Sequence, residues 1–569
     1  MRPFGEMSPR LPRQCARAMI SSLARAATVV ALASLAGCAR AADAPGAPAT
    51  VALHAWTKPD TLRIAMSSSP NTLNPILSTQ QIEAQNEALV MDPLVATDPG
   101  GTNVPVLAAR VPTLENGDIA RDGRSITYRL RRGVRWHDGA PFTSRDVAFT
   151  WRAIMNPKTA VASRHGYDRI ARIETPDPYT AVFVLKAPFA PAVHTFFAHS
   201  DNPIAILPAH LLERYPDLNR NPFNSKPIGT GPYKVVRWLR GDRIEYVAND
   251  AYFLGKPHIA HVVVHIVPDE NTIVNEMRAH ELDWFTLATP HVYPQLRGID
   301  GYDVRLVRFN GSDSIIFNTS RGPFADARLR RAVGLAIDKA ELVRSVTFGT
   351  SDPATEDLPS FMWAFDPHAG TSRRDLGGAK ALLAQAGWQA AADGIRTRGG
   401  ERLTMGLAYR TDSLTDRNRG VVIASMLREA GIDVQLKGYT TALLYGAFSE
   451  GGILAGGKYD AGLETWYSGV DPDDSTQLLC SEIPPHGFNW SRYCNRALDA
   501  AETTALTHYD RPTRARAYAT VESLLARDAP FVYLWWPRQI EAVNTDLHGF
   551  RPNGIVETWN ASAWHFGGS

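Results

Sequence analysis

Between residues 403 and 467 the sequence alternates between two periodicities. Leu403 to Arg410 reads as a strand. A helix follows from about Asp416, with Val421, Val422, Ser425, Met426 and Ala430 on one face, and it stops at Gly431, the position past a helix end where glycine accepts a left-handed backbone. Ile432 to Tyr439 is the next strand and Tyr459 to Tyr467 a third. Strands alternating with helices specify a sheet with parallel strands and helices on its faces, an α/β fold. Such sheets bind ligands beyond the carboxyl ends of their strands, which points to the loops Thr411 to Leu414 and Ser468 to Ser475.

The chain has 569 residues, and a single hydrophobic core stops growing at roughly 250 to 300, so at least two lobes are expected. In the first half, Ser125 to Arg131 alternates and Val134 to Trp136 continues toward the turn Asp138-Gly139, which predicts a hairpin. A second hairpin joins Tyr233 to Trp238 with Arg243 to Val247. His261 to Val267 is a β-branched strand, and Asn271 to His280 has helical spacing. A helix over Asp326 to Val343 carries Leu329, Val333, Ala336, Ile337 and Ala340 on a core-facing stripe.

The N-terminus reads as a processing signal. A basic stretch precedes an apolar run from Ala26 to Ala36 and then Leu35-Ala36-Gly37-Cys38. That run is shorter than the roughly 20 apolar residues that span a bilayer. Residues 1–37 are expected to be a lipoprotein signal peptide, with Cys38 the lipidated residue that anchors an exported chain to a membrane. An ordinary secretory signal with an incidental Cys38 is the alternative. Residues 38–59, rich in Ala and Pro, read as a flexible tether. The formal charge is +2, and the first 37 residues carry five Arg against one Glu, so without them it falls to −2. A nearly neutral chain excludes the basic footprint of a nucleic-acid binder. Cys480 and Cys494 remain, and an even pair in an exported protein favours a disulfide; no CxxC or His spacing supports a metal there.

Four blocks resemble the bacterial extracellular solute-binding proteins of family 5, the group that includes dipeptide, oligopeptide and nickel binders. They are Leu130 to Val147 (LRRGVRWHDGAPFTSRDV), Gly229-Thr-Gly-Pro-Tyr233 with Asn249, Tyr252 and Pro268 to Thr272, Phe317-Asn-Thr319 through Asp338 to Ala386-Gly387, and Trp466 to Asp474 with Asn489, Trp490, Tyr493 and Asp499. The resemblance implies a two-lobed type II periplasmic-binding fold with an extra subdomain in the first lobe. The first lobe would span 60–305 with the subdomain at about 91–224, the second 306–528, and 529–569 would return to the first. It also implies an ABC importer's capture component, a monomer that closes on a peptide or other small molecule by hinge motion and delivers it to a permease with cytoplasmic ATPase subunits. A ligand-sensing role beside a membrane receptor uses the same fold.

The contact loop is expected at Trp466, Tyr467, Ser468, Asp471, Asp473 and Asp474, where aromatic area and carboxylates mix. Asn71 and Thr72, after the strand Leu62 to Met66, are further candidates, with turn formation as the alternative. Related peptide binders place an aspartate for the peptide's ammonium a few residues past the matching tryptophan; here Tyr-Ser-Gly-Val fills that stretch. A non-peptide solute such as a metal chelate is therefore open beside a peptide, with His486 and Arg492 near the loop. Gly229-Thr-Gly lacks the third glycine of a dinucleotide loop, and no GxSxG, HExxH or P-loop pattern occurs. No enzyme activity, cofactor or resident metal is expected.

Overall fold

A computed structural model describes residues 52–199, 203–370 and 373–567. The expected signal peptide, Cys38 and the tether as far as residue 51 lie outside the described residues. Two main mixed sheets organise the rest. The seven-stranded sheet runs in the order Tyr302–Arg308, Arg538–Asn544, Trp284–Ala288, Thr61–Met66, His261–Ile266, Arg243–Ala248, Tyr233–Leu239. Thr61–Met66 is parallel to both of its neighbours. The six-stranded sheet runs Asp352–Pro353, Phe531–Trp536, Gly311–Phe317, Ala461–Tyr467, Thr404–Arg410, Asp433–Tyr439. Its parallel part is Thr404–Arg410 with its two neighbours, the segment whose alternating pattern demanded it.

Each sheet carries helices and cores on its faces. One face of the six-stranded sheet packs Ile315, Leu407 and Leu463 against Leu329, Val333 and Ile423. The other packs Ile316, Phe531 and Tyr533 against Val521 and Leu525. Phe531–Trp536 is buried along its whole length, as a strand covered on both faces must be.

The chain passes between the two sheets at adjacent points. Tyr302–Arg308 leads through Phe309 and Asn310 into Gly311–Phe317, and Phe531–Trp536 leads through Pro537 into Arg538–Asn544. The two passages run antiparallel, with Arg308 opposite Arg538 and Asp313 opposite Trp535.

Several local expectations are corrected. The hairpin expected from Ser125 to Trp136 does not form. Ser125–Arg129 instead pairs with Thr180–Leu185 in a three-stranded sheet with Ile170–Asp177, where the buried Tyr128 ring meets Phe183 at 4.9 Å; an aromatic cross-strand pair outweighs a nearby turn. The helix expected over 326–343 divides into Ala327–Ala336 and Lys339–Val346. Ile337 is extended, and the Asp338 carboxylate accepts from the Glu341 amide at 2.9 Å, so a cap replaces a helix interior. On Leu414–Ala430 the buried stripe is Asp416, Arg419, Gly420, Ile423, Met426, Leu427 and Ala430, while Val421 is 54% exposed. The helix is rotated because it docks through the Arg419 ion pairs described below.

Residues 52–59, expected as the end of a free tether, belong to the folded unit. The His54 amide and the Thr57 hydroxyl donate to Asp546 at 2.8 and 2.6 Å, and Trp56 packs against both His280 and Tyr302, with ring centroids 4.6 and 5.3 Å away.

Gly229 and Gly231 lie against the backbone of Val90. A Cβ on Gly229 would fall 1.8 Å from the Val90 oxygen, and the Gly231 amide donates to that oxygen at 2.8 Å. The motif is thus a close crossing of two backbones, held by His137, whose ring contacts the Gly229 amide and the Gly231 carbonyl at 3.2 and 3.0 Å. Burial pushes the His137 imidazole down to about 4, so it sits neutral in the crossing.

Candidate functional site

The strand Ala461–Tyr467 lies in the middle of the six-stranded sheet, and its pairing with Gly311–Phe317 sets Tyr467 opposite Gly311, beside the passage between sheets. Side chains alternate along a strand, so Thr465 and Tyr467 face one way, Glu464 and Trp466 the other.

On the first face, Tyr467 stands edge-on to Phe309 with ring centroids 5.0 Å apart. Its residue surface is 53% exposed, yet burial raises its hydroxyl above the usual tyrosine range. A chain of charges continues from there. Arg410 donates to both oxygens of Asp416 at 2.7 and 3.0 Å. Arg419, fully buried, donates to Asp416 at 2.8 Å and to Asp313 at 2.5 Å, and Thr465 donates to Asp313 at 2.7 Å. Two cations meet two anions, and the Arg410 side chain keeps 26% of its surface exposed.

On the opposite face, the Trp466 indole donates to Asp474 at 2.6 Å, and the Ser468 hydroxyl donates to the same carboxyl. Asp474 and Asp357 hydrogen-bond each other, as do Asp357 and Glu522. Burial first, and then the neighbouring carboxyls, push Asp474 and Glu522 well above the carboxylate range. Like charges this close cannot all ionise, so the group shares protons.

The other loop acids are also engaged. Arg514 donates to both oxygens of Asp471 in a buried bidentate pair. Asp473 meets His165 at 3.2 Å and accepts from the Ser475 amide. Burial opposes ionisation of Asp473, but the His165 hydrogen bond and charge outweigh it and bring the carboxyl down to about 2. The loop is therefore pinned on one side to the helix Arg511–Asp528 and on the other to His165.

Asn71 and Thr72 are engaged in local hydrogen bonds. The Asn71 amide donates to Glu83 at 2.8 Å, and the buried Thr72 hydroxyl accepts from the Asn74 amide at 3.0 Å, a turn-forming bond. Cys480 and Cys494 are joined in a disulfide. Next to it, the Asn489 amide group donates to three carbonyls, of Leu478, Leu479 and Tyr493. Arg492 donates to the carbonyls of Leu454, Ala455 and Trp490. Among the described residues no group of three His, Cys, Asp or Glu is arranged to hold a metal.

Two residues on the open face are absent from the sequence candidates. Arg410 ends the strand that precedes the loop at 411–414, so the rule that ligands sit beyond strand ends carries a signal for it. Phe309 has none, since it reaches Tyr467 through the passage between the sheets.

Comparison with known proteins agrees with this architecture. Residues 94–482 match the family described as bacterial extracellular solute-binding proteins, family 5. Protein XP55 of Streptomyces lividans is 30% identical over 83% of this chain and 82% of its own length. The oligopeptide-binding protein AppA of Bacillus subtilis is 25% identical over 88% of this chain and 91% of its own. Its structure in complex with a nonapeptide superposes with a TM-score of 0.76, covering 90% of this chain and all of that one at 24% identity. NikZ of Campylobacter jejuni in complex with Ni(L-His) gives a TM-score of 0.76 with the same coverage and identity. The family consists of non-catalytic binding components of ABC importers, and this chain belongs to the bacterial extracellular solute-binding proteins of family 5.

Proposed function

We propose that the protein captures a peptide or a peptide-like small solute between two lobes and delivers it to the permease of an ABC importer. The lobes would be 60–305 with 529–569, and 306–528, with 91–224 as a subdomain of the first. Phe309-Asn310 and Pro537 would serve as the hinge, since two single-chain passages side by side are the least resistant place for a rotation.

One observation carries the reading of the ligand. Asp471 is already bound to Arg514, Asp473 to His165, and Asp474 to Trp466 and Asp357, while Tyr467 remains open to solvent and Arg410, held by Asp416 through Nε and Nη2, keeps 26% of its side chain exposed. The cleft so built offers a cation for a ligand carboxylate and the aromatic faces of Tyr467 and Phe309 for its hydrocarbon. It offers no free loop carboxylate for an α-ammonium group. The favoured solute is therefore a peptide recognised at its carboxylate and side chains, its amine left toward solvent or blocked. A metal chelate presenting carboxylates to Arg410 is the second reading, supported by the likeness to a protein solved with Ni(L-His).

The test is ligand-dependent thermal stabilisation over four matched peptide sets, with free or acetylated amines and free or amidated carboxyl ends. A ligand at about 100 times its Kd adds about 2.7 kcal/mol. Stabilisation is expected to survive acetylation and to be lost on amidation. The reverse pattern would refute the carboxylate reading, and native mass spectrometry of freshly purified protein identifies a retained solute directly.

A further inference from the structure

A cavity of about 320 Å³ lies on the six-stranded sheet, between the helices Ala327–Ala336 and Arg511–Asp528. That volume is within the range of small-molecule sites, about 300 to 1,000 Å³. Its wall differs from that of the cleft at Tyr467 and shares no residue with it. Leu525 and Phe531 give an apolar side, and Glu356, Glu522, Thr355 and Tyr533 bring polar groups into the interior. Arg331 and His368 are exposed at its mouth, whereas Glu356, Glu522 and Tyr533 are at least nine-tenths buried.

Three of those interior polar atoms have no hydrogen-bond partner: Glu356 Oε2, Thr355 Oγ1 and the Tyr533 hydroxyl. Buried polar groups are ordinarily paired, and an orphan loses its hydration without compensation. Three that line one cavity indicate a place shaped to be filled by a polar partner. The other oxygen of Glu356 already accepts from the Asp366 amide at 2.9 Å, and the Lys339 amine is turned to the Ala354 carbonyl at 2.7 Å.

Charge selects the occupant. Behind Glu356 and Glu522 stand Asp357 and Asp474, so four carboxyl groups adjoin one another. An anion entering would meet carboxyl groups that hold their protons, with the lining amine of Lys339 already bonded to the Ala354 carbonyl, and would gain no ion pair in the interior. A cation would allow one of the carboxyls to ionise and would turn an orphaned acceptor into a charge-assisted bond. We infer that this cavity is a second ligand site, separate from the solute cleft, that takes a small organic cation: a primary ammonium group seated on Glu356, Glu522 and Tyr533, with a short aliphatic stem against Leu525 and Phe531.

Calorimetric titration of the full chain with n-butylammonium, n-butanol and butyrate, across the millimolar range, tests this directly. Saturable one-to-one binding of n-butylammonium is expected, with n-butanol at least about tenfold weaker and butyrate without effect. Glu522→Gln should weaken n-butylammonium about tenfold and Tyr533→Phe about threefold. The phenylalanine variant keeps the ring and preserves the test if Glu522→Gln does not fold. Crystals soaked with n-butylammonium should show it against Phe531. No saturable binding, equal binding of n-butanol, or density at Tyr467 in place of Phe531 would each overturn the inference. The peptide experiment reads the cleft alone, so either reading can fail without the other.

Discussion

Asp471 and Arg514 face each other across a buried two-point contact, Arg514 Nη1 donating to Asp471 Oδ2 at 2.7 Å and Nη2 to Oδ1. The aspartate belongs to the loop after Tyr467 and the arginine to the long helix Arg511–Asp528, so the pair fixes the loop to the body of the fold. Asp471→Ala leaves a guanidinium buried and unpaired, and should lower unfolding free energy by about 3 to 5 kcal/mol in urea denaturation. Removing both partners should cost less than the sum of the single changes, and additive losses would show that the pair is not a unit.

Tyr467→Ala should behave in the opposite way. The ring is half exposed and makes its edge contact with Phe309 alone among the described aromatic neighbours, so stability should stay within about 0.5 kcal/mol of the parent. Solute affinity should fall by about tenfold or more, as a lost aromatic contact of about 1.4 kcal/mol requires. Affinity unchanged in calorimetry would remove Tyr467 from the cleft.

The pH dependence of stability should be asymmetric. Burial, and then Asp357, pushes the Glu356 carboxyl from 4.5 up to about 9; burial takes Glu464 to about 8 and Glu557 to about 7. The folded protein keeps these protons while the unfolded chain releases them. Their contribution is whole below about pH 4.5 and is lost as pH rises toward each folded value, by about 1.4 kcal/mol per unit for each group between its two pKa values. Burial also holds His137 at about 4 and His199 at about 3, against 6.5, so stability is lost again as pH falls through that window. Chemical denaturation from pH 4 to 9 should show a maximum near pH 5, and Glu356→Gln should flatten the alkaline limb. Stability that rises from pH 5 to 9 would contradict this assignment.

Gly229→Ala should be among the most damaging single substitutions in the chain. Its Cβ would lie 1.8 Å from the Val90 oxygen, at a crossing where both segments are backbone and neither has a flexible end to move. Loss of folded protein on expression, or destabilisation above about 4 kcal/mol, is expected. Gly133→Ala supplies the contrast: nothing lies within 4 Å of its Cβ, leaving the strain of a left-handed backbone as the cost.

Reduction of Cys480–Cys494, which are 14 residues apart, should lower stability by about 3 kcal/mol by the loop-entropy argument. Peptide mapping of the oxidised protein should recover the two cysteines in one linked fragment, and two free thiols would count against the pairing.

Much of the architecture was legible in the order of residues. The alternation from Leu403 to Tyr467 demanded parallel strands, and Thr404–Arg410 is the parallel neighbour of both Asp433–Tyr439 and Ala461–Tyr467. Gly431 stops its helix with φ of +91°, as its position foretold. These features depend on side-chain period and backbone freedom, which are local. Pairing across distance is not local. Ser125–Arg129 found Thr180–Leu185 in place of its near neighbour, and Asp338 broke one expected helix into two. The sequence could nominate Asp471, Asp473 and Asp474 by their chemistry, but Arg514, His165 and Asp357 reach them from 43, 308 and 117 positions away. Whether a carboxylate is free for a ligand or spent on a partner depends on what the fold brings within hydrogen-bond reach of it. Tertiary structure alone decided that: it spent Asp471, Asp473 and Asp474 on Arg514, His165 and Asp357, and left Tyr467 half exposed.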